Sequence, residues 1–431
     1  MAQTQSMTSM NRLAESYIRL VLALGQHDTD YVDAYYGPED LKAKAIQEKL
    51  SPEQIRKSAV AAIAELKTLS PARMDEMLQR RHRYLVRQLQ ALIARADMLT
   101  GKKFSFDEES LALYDAVAPT HTEEHFKEIL EQLSAALPGK GSVPARFDAY
   151  RKEFVIPPKK LDAVFKAAVE ESRKRTHTRI TLPENESFTI EYVTGKSWSG
   201  YNWFKGNCHS LIQINTDLPI TIDRAVDLAS HEGYPGHHVY NSLLETHLVR
   251  GRKWQEYSVY PLFSPQSLIA EGTANYGIAM AFPDEERAAF EREVLFPKAG
   301  LEGAKAAHYY TVHELFLKLA FAGNEAARRY LNGDIGREKA AEWLVNYALM
   351  SPERAQQRTK FFDQYRSYVI NYNLGQDMVK RYIESQGGTP AHPEKRWKIF
   401  TEMISGPMVP SMLLGIRPKV ENRGSKNEEY A

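Results

Sequence analysis

The chain has 431 residues, 43% of them hydrophobic and 26% charged, the make-up of a folded globular protein with a large core. Its formal net charge of +1 provides no basic surplus for nucleic acid or an anionic membrane surface. The single cysteine, Cys208, excludes an intrachain disulfide, and no apolar run is long enough to span a bilayer.

In chain order, residues Met1 to Met7 lack the basic start and apolar stretch of a secretory signal, which leads to the expectation of a cytoplasmic protein. Leu13, Tyr17, Leu20, Val21 and Leu24 then mark one face of a first helix. Ser70-Pro71 reads as the cap and first position of a long helix that ends near Gly101, with an apolar stripe of Met74, Leu78, Leu85, Leu89, Leu92 and Leu99. His121-Thr122-Glu123-Glu124-His125 fits an inverted zinc pattern, but it follows Pro119-Thr120 and places two acids where a helix begins, so it is read as a helix start. Prolines and glycines at 138–141 and 157–158 suggest a boundary, giving an N-terminal helical lobe over 1–150, a second region over 151–420 and a polar tail over 421–431.

The second region opens with a helix over 161–174. Residues 179–182 and 188–193 have strand character and are joined by a turn-prone segment at 183–187, which also contains Asn185-Glu186-Ser187, a glycosylation sequon. Residues 211–215 form a further predicted strand. Between them, the aromatic and glycine-bearing stretch 197–203 reads as a loop lining a cavity. Cys208-His209 is not a nucleophile and its base, because neighbours on a strand face opposite sides. Much of 284–403 is again helical in pattern, so the fold class expected is mainly α with a small β-sheet. No glycine-rich phosphate loop or dinucleotide fingerprint is present.

The chemistry concentrates in His231-Glu232-Gly233-Tyr234-Pro235-Gly236-His237-His238, on a helix expected to open over 221–230. It is the zinc pattern H-E-x-x-H with two extra residues before the second histidine. A continuous helix turns by about 100° per residue, so position i+6 lies roughly 240° around and i+7 lies about 10 Å along the axis. Neither histidine could then share an ion with His231, since ligands sit about 2 Å from zinc. Pro235 gives no amide to the carbonyl of His231, and Gly236 accepts backbone angles closed to other residues, so a bulge at 234–236 is expected. His237 is preferred as the second ligand because it follows glycine, as in many H-E-x-G-H motifs. His238 then stands behind the ligands or faces the substrate.

A catalytic site needs a third protein ligand and one open position. Glu271, in a helix expected after Ser264-Pro265, is the candidate, because Leu268-Ile269-Ala270 before it mark a buried and therefore partnered carboxylate. Asn275, one turn on, is placed to bond the outer nitrogen of a ligating histidine. Glu232 occupies the position of the general base.

These two motifs, His-Glu-x-x-Pro-Gly-His-His and Glu-Gly-x-Ala-x-Tyr, resemble those of the domain-of-unknown-function 885 family, which is similar to zinc metallopeptidases with a glutamate third ligand such as thimet oligopeptidase and carboxypeptidase Taq. Thr273 departs from the commoner Glu-Gly-Trp-Ala pattern. The resemblance implies a multi-helix metallopeptidase-like fold, one zinc ion, and hydrolysis of peptides or related amides. It also implies a strand beside the site that pairs with an extended substrate, for which 211–215 is the candidate with Asn215 as a polar contact, and oxyanion donors among Arg366, Tyr368 and Tyr372. A non-catalytic peptide-binding protein, or a metal hydrolase of a non-peptide bond, is the alternative.

Overall fold

The structure is a computed structural model and describes residues 2–414; the polar tail expected at 421–431 lies outside the described residues. Helices dominate, as the periodicity predicted. In the first, Ala2–Leu24, the residues Leu13, Tyr17, Leu20, Val21 and Leu24 are all buried. The long helix expected from Ser70-Pro71 begins later. Pro71–Arg73 makes one tight turn in which Ser70 forms no cap, and the helix Glu76–Leu99 starts at Asp75, whose carboxylate accepts the Leu78 amide at 2.8 Å. Leu99, read as part of the apolar stripe, is exposed at its end. Thr122 caps the helix Glu123–Ala136, so the inverted zinc pattern is a helix start.

The sheet differs from its prediction in two places. Residues 179–182 make no strand. The amides of Arg179 and Ile180 turn back to the carbonyl of Thr176 at 2.9 and 2.8 Å and close the helix Leu161–His177 instead. The stretch expected as a loop yields a strand from its glycine onward. The result is three strands, β2 (Ser187–Val193), β3 (Gly200–Phe204) and β4 (His209–Asn215), in the order β2-β4-β3, with β4 parallel to β2 and antiparallel to β3. A second, two-stranded sheet joins β1 (Val32–Tyr35) to β5 (Val259–Pro261). It brings a segment from the start of the chain beside the second half.

The helix Asp223–Leu228 runs into the wider turn Ala229–Gly233, and a new helix follows over His237–Leu244. Asp223 stands in the first turn of this helix, and both it and Asp227 are held by partners. Asp223 is buried and accepts from Tyr309, while Asp227 pairs with Arg224 at 3.1 Å and Arg287 at 2.8 Å. Among the described residues no helix is long and apolar enough to cross a membrane.

The helix Pro265–Ala281, which carries Glu271, packs along Ile370–Ser385 at a crossing set by two glycines. A Cβ on Gly272 would lie 2.5 to 2.8 Å from the backbone of Gly375, and one on Gly375 would lie 2.8 Å from the carbonyl of Leu268. Backbone meets backbone there, and no side-chain rotation could make room. Gly272→Ala and Gly375→Ala are each expected to lower stability by about 1–3 kcal/mol. The double variant should cost less than the sum, because both residues lie in one contact. Urea unfolding checks this, and parental stability in both single variants would show that the helices separate freely.

Candidate metal centre

The break in the helix is built from displaced hydrogen bonds. The amide of Tyr234 reaches the carbonyl of Ala229 at 3.1 Å, and that of Gly236 reaches Ser230 at 2.9 Å. Tyr234 is extended (φ −119°, ψ 116°), so the helix ends before Pro235. Gly236 has φ −77° and ψ −137°, outside both the helical and the extended regions, as expected of a glycine at the break. A Cβ there would lie 1.9 Å from the carbonyl oxygen of His231 and 2.4 Å from that of Ser230. Proximity therefore requires glycine here as well.

This turn carries His237 back to His231. Their Nε2 atoms lie 3.1 Å apart, and Glu271 Oε2 is 3.2 Å from His231 Nε2 and 3.7 Å from His237 Nε2. The three residues are the one group of metal-ligand type found among the described residues. Asn275 donates its amide nitrogen to the carbonyl of Tyr372 at 3.1 Å, which turns its oxygen to His231 Nδ1 at 3.0 Å. Nδ1 of His231 must therefore carry the proton, leaving a lone pair on Nε2. Tyr368 donates to Glu271 Oε1 at 2.8 Å, while Oε2 is buried without a hydrogen-bond donor. Burial raises the Glu271 pKa, but the two histidines outweigh it and hold the carboxyl well below its usual range. Two imidazole nitrogens and an anionic oxygen lacking a proton donor fit a divalent metal ion.

Glu232 is buried beside this cluster. Burial pushes its pKa up to about 7; His237 and Arg224 oppose the rise, and Glu271 and Asp33 add to it. Its carbonyl accepts from Asn202 on β3 at 2.7 Å, and a Cβ on Gly200 would lie 2.9 Å from its Oε1. The strand next to Glu232 is thus β3. The predicted strand, now β4, cannot receive a peptide, because β2 and β3 occupy both of its edges. Asn215 is spent on the loop before β3, donating to the carbonyls of Lys196 and Trp198 at 3.0 and 2.8 Å.

Of the expected oxyanion donors, Tyr372 lies within electrostatic reach of Glu271 and Glu232. Arg366 is engaged elsewhere, with its Nε 2.6 Å from the buried carboxylate of Glu109, so the structure does not bring it into the cluster. Sequence reasoning missed Asp33 on β1. Its carboxylate accepts from Tyr201 and is raised to about 6 by burial, with Tyr201 and His237 opposing. No local motif marks it, since only the pairing of β1 with β5 brings it near.

No protein family matches the chain by sequence, and no curated protein does. The resemblance to the domain-of-unknown-function 885 family therefore stands on the two motifs alone. Among solved structures, three align with much of the chain at low identity. A provisionally assigned lipoprotein from Colwellia psychrerythraea is 14% identical over 89% of this chain and 76% of its own, with a TM-score of 0.49. An M32 carboxypeptidase from Deinococcus radiodurans R1 is 12% identical over 96% and 94%, at 0.45. A provisionally assigned lipoprotein of unknown function from Shewanella oneidensis is 11% identical over 88% and 78%, at 0.43. At these values they carry no argument about what this chain does.

His238 turns away from the cluster. It is fully buried, with Nδ1 2.9 Å from Ser210 Oγ and Nε2 2.9 Å from Glu186 Oε2. Glu186 also accepts from Tyr234, Arg173 and His177, so it ties down the residues on both sides of Pro235-Gly236-His237. Burial works against its charge, but the bonds from His238, Tyr234 and Arg173 win and hold its pKa at about 2. A carboxyl lowered from 4.5 stabilises the fold above pH 4.5, and that contribution is lost as the pH falls toward 2. Glu186→Gln should therefore cost about 2 kcal/mol or more near neutral pH. Chemical denaturation at neutral and acid pH checks this, with the gap from the parent expected to narrow below pH 4.5. A gap independent of pH would contradict it.

Proposed function

We propose that the chain is a zinc-dependent hydrolase acting on a peptide or related amide. The observation that carries this reading is the convergence of His231 Nε2, His237 Nε2 and Glu271 Oε2, with the last buried and lacking a donor. When bound, a zinc ion supplies Lewis acidity toward water and toward the carbonyl of the scissile bond. The residues of the chain do the rest. Asn275 fixes the tautomer of His231, and Tyr368 orients Glu271 through its other oxygen. Glu232 accepts the proton of the attacking water and returns it to the leaving nitrogen. Its burial raises its pKa above the usual carboxylate range, which suits a group that takes up a proton and hands it on. Tyr372 is the donor we assign to the oxyanion in place of Arg366. The presence of Glu232 favours an enzyme over a binding protein on the same scaffold.

Titration should give one zinc per chain, lost in His231→Ala, His237→Ala and Glu271→Ala and kept in His238→Asn. The loaded protein should cleave members of a mixed peptide library, with chelator abolishing cleavage. Glu232→Gln should keep zinc and lose about 10²–10⁴-fold in rate. Stoichiometric zinc without cleavage of any peptide would sink the peptidase reading. Zinc binding that survives His237→Ala but not His238→Asn would sink the ligand set.

A further inference from the structure

A cavity of about 140 Å³ opens beside the base, and its charge is one-sided. Arg224, Arg354 and Arg358 line it, and no Asp or Glu does. Glu232 is not one of its lining residues but stands close to its wall. Leu228 and Ser199 belong to its wall, and Leu228 Cδ2 and Glu232 Oε1 both lie under 3 Å from where a Cβ of Gly200 would stand. On the other side, Arg358 lies 5.9 Å from the ring of Tyr372, whose carbonyl holds Asn275 and so His231.

Two of these cations lack a counter-ion. Arg224 pairs with Asp227 at 3.1 Å. Among the described residues, Arg354 and Arg358 have no carboxylate within ion-pair distance, and the Nε of Arg358 is buried with no acceptor. Ring faces flank Arg358, with Phe361 at 4.3 Å and Phe362 at 5.7 Å. Burial, and then Arg224 and Arg151, press the pKa of Arg354 down to about 10; the one acid that opposes them, Asp223, is already engaged by Tyr309 and Arg151. Cations gathered at a cavity wall with unused donors favour an anion there, and the planar fork of arginine suits a carboxylate.

We propose that this cavity receives a carboxylate of the substrate, so that the enzyme acts on peptides carrying that group next to the bond cleaved. The proposal rests on the hydrolase reading above and narrows its substrate class. The group is either the terminal carboxylate of the peptide or an acidic side chain.

The test uses zinc-loaded Glu232→Gln protein and calorimetric titration with three blocked tripeptides. They are acetyl-Ala-Ala-Ala as the free acid, the same peptide as its amide, and acetyl-Ala-Ala-Glu amide. One of the two charged peptides should bind about tenfold or more tightly than the neutral amide, and which one does identifies the source of the carboxylate. Arg354→Gln and Arg358→Gln, added separately, should bring the ratio toward one while leaving the melting temperature and the affinity for the neutral amide near the parental values. If one variant fails to fold, the other still decides. Equal binding of all three peptides, no saturable binding of any, or a ratio that survives both substitutions overturns the proposal. Cleavage by the parental protein is scored separately. Cleavage of neutral peptides without preference removes the carboxylate pocket and keeps the hydrolase. Charge-selective binding without any cleavage does the reverse.

Discussion

One backbone contact governs the site. The Cα of Gly236 lies against the carbonyls of Ser230 and His231 more closely than any side chain permits. Every residue after it depends on that approach. If the chain stood one methyl group further off, His237 would leave the neighbourhood of His231, and His238 would leave Glu186. The contact also explains why two extra residues cost the motif nothing. The helix does not stretch to hold them. It opens into a wide turn over Ala229–Gly233, leaves the axis at Tyr234, and begins again at His237.

The opposite wall is set by a second close approach, that of Gly272 to Gly375. Glu271 precedes the first of these glycines. Asn275 lies one turn beyond it and bonds the carbonyl of Tyr372, three residues before Gly375. Tyr368, which fixes the oxygen of Glu271 that faces away from the histidines, enters from the same side. Glu271 and the residue that orients a histidine thus share one rigid helix pair, and the residue that orients the carboxylate stands in the tight turn Arg366–Val369 that leads into it. Errors in their relative positions are small because the pair cannot slide without a clash of backbones. Thr273, the departure from the commoner motif, is turned inward and bonds the carbonyls of Ile269 and Ala270, so it belongs to the helix and not to the cluster.

The sequence was informative where function demands short spacing. The octapeptide, the buried run before Glu271 and the one-turn offset to Asn275 are local patterns, and helix geometry alone turns them into a statement about ligands. The helical character of the chain was legible for the same reason, since apolar periodicity is a local property. What escaped was relational. Residues 179–182 look like a strand by composition, yet strand formation requires a partner, and the end of the preceding helix captured their amides first. Residues 211–215 were recognisable as a strand, but nothing local says that a strand is central, with both edges filled. Asp33 lies about two hundred residues from the octapeptide. Arg366 stands in a motif-like segment, yet the geometry gives it to Glu109, a distant acid with no mark of its own.

Two clusters of histidine and glutamate lie back to back across the turn, and the difference between them is an argument about proton donors. Glu186 has both oxygens filled: Arg173 and His177 meet Oε1, while Tyr234 and His238 meet Oε2. With its acceptor sites taken by hydrogens, that carboxylate has no lone pair directed at a vacant position and no need of a cation. Glu271 has one oxygen filled by Tyr368 and one buried without a donor, facing two imidazole nitrogens, of which that of His231 is left unprotonated by Asn275. Leaving a carboxylate oxygen in that state costs free energy unless a cation completes it. The same residue types therefore do opposite work a few ångströms apart. One set spends its hydrogen bonds to hold the turn in place; the other is kept short of a hydrogen bond, and that deficit is what a metal ion could fill.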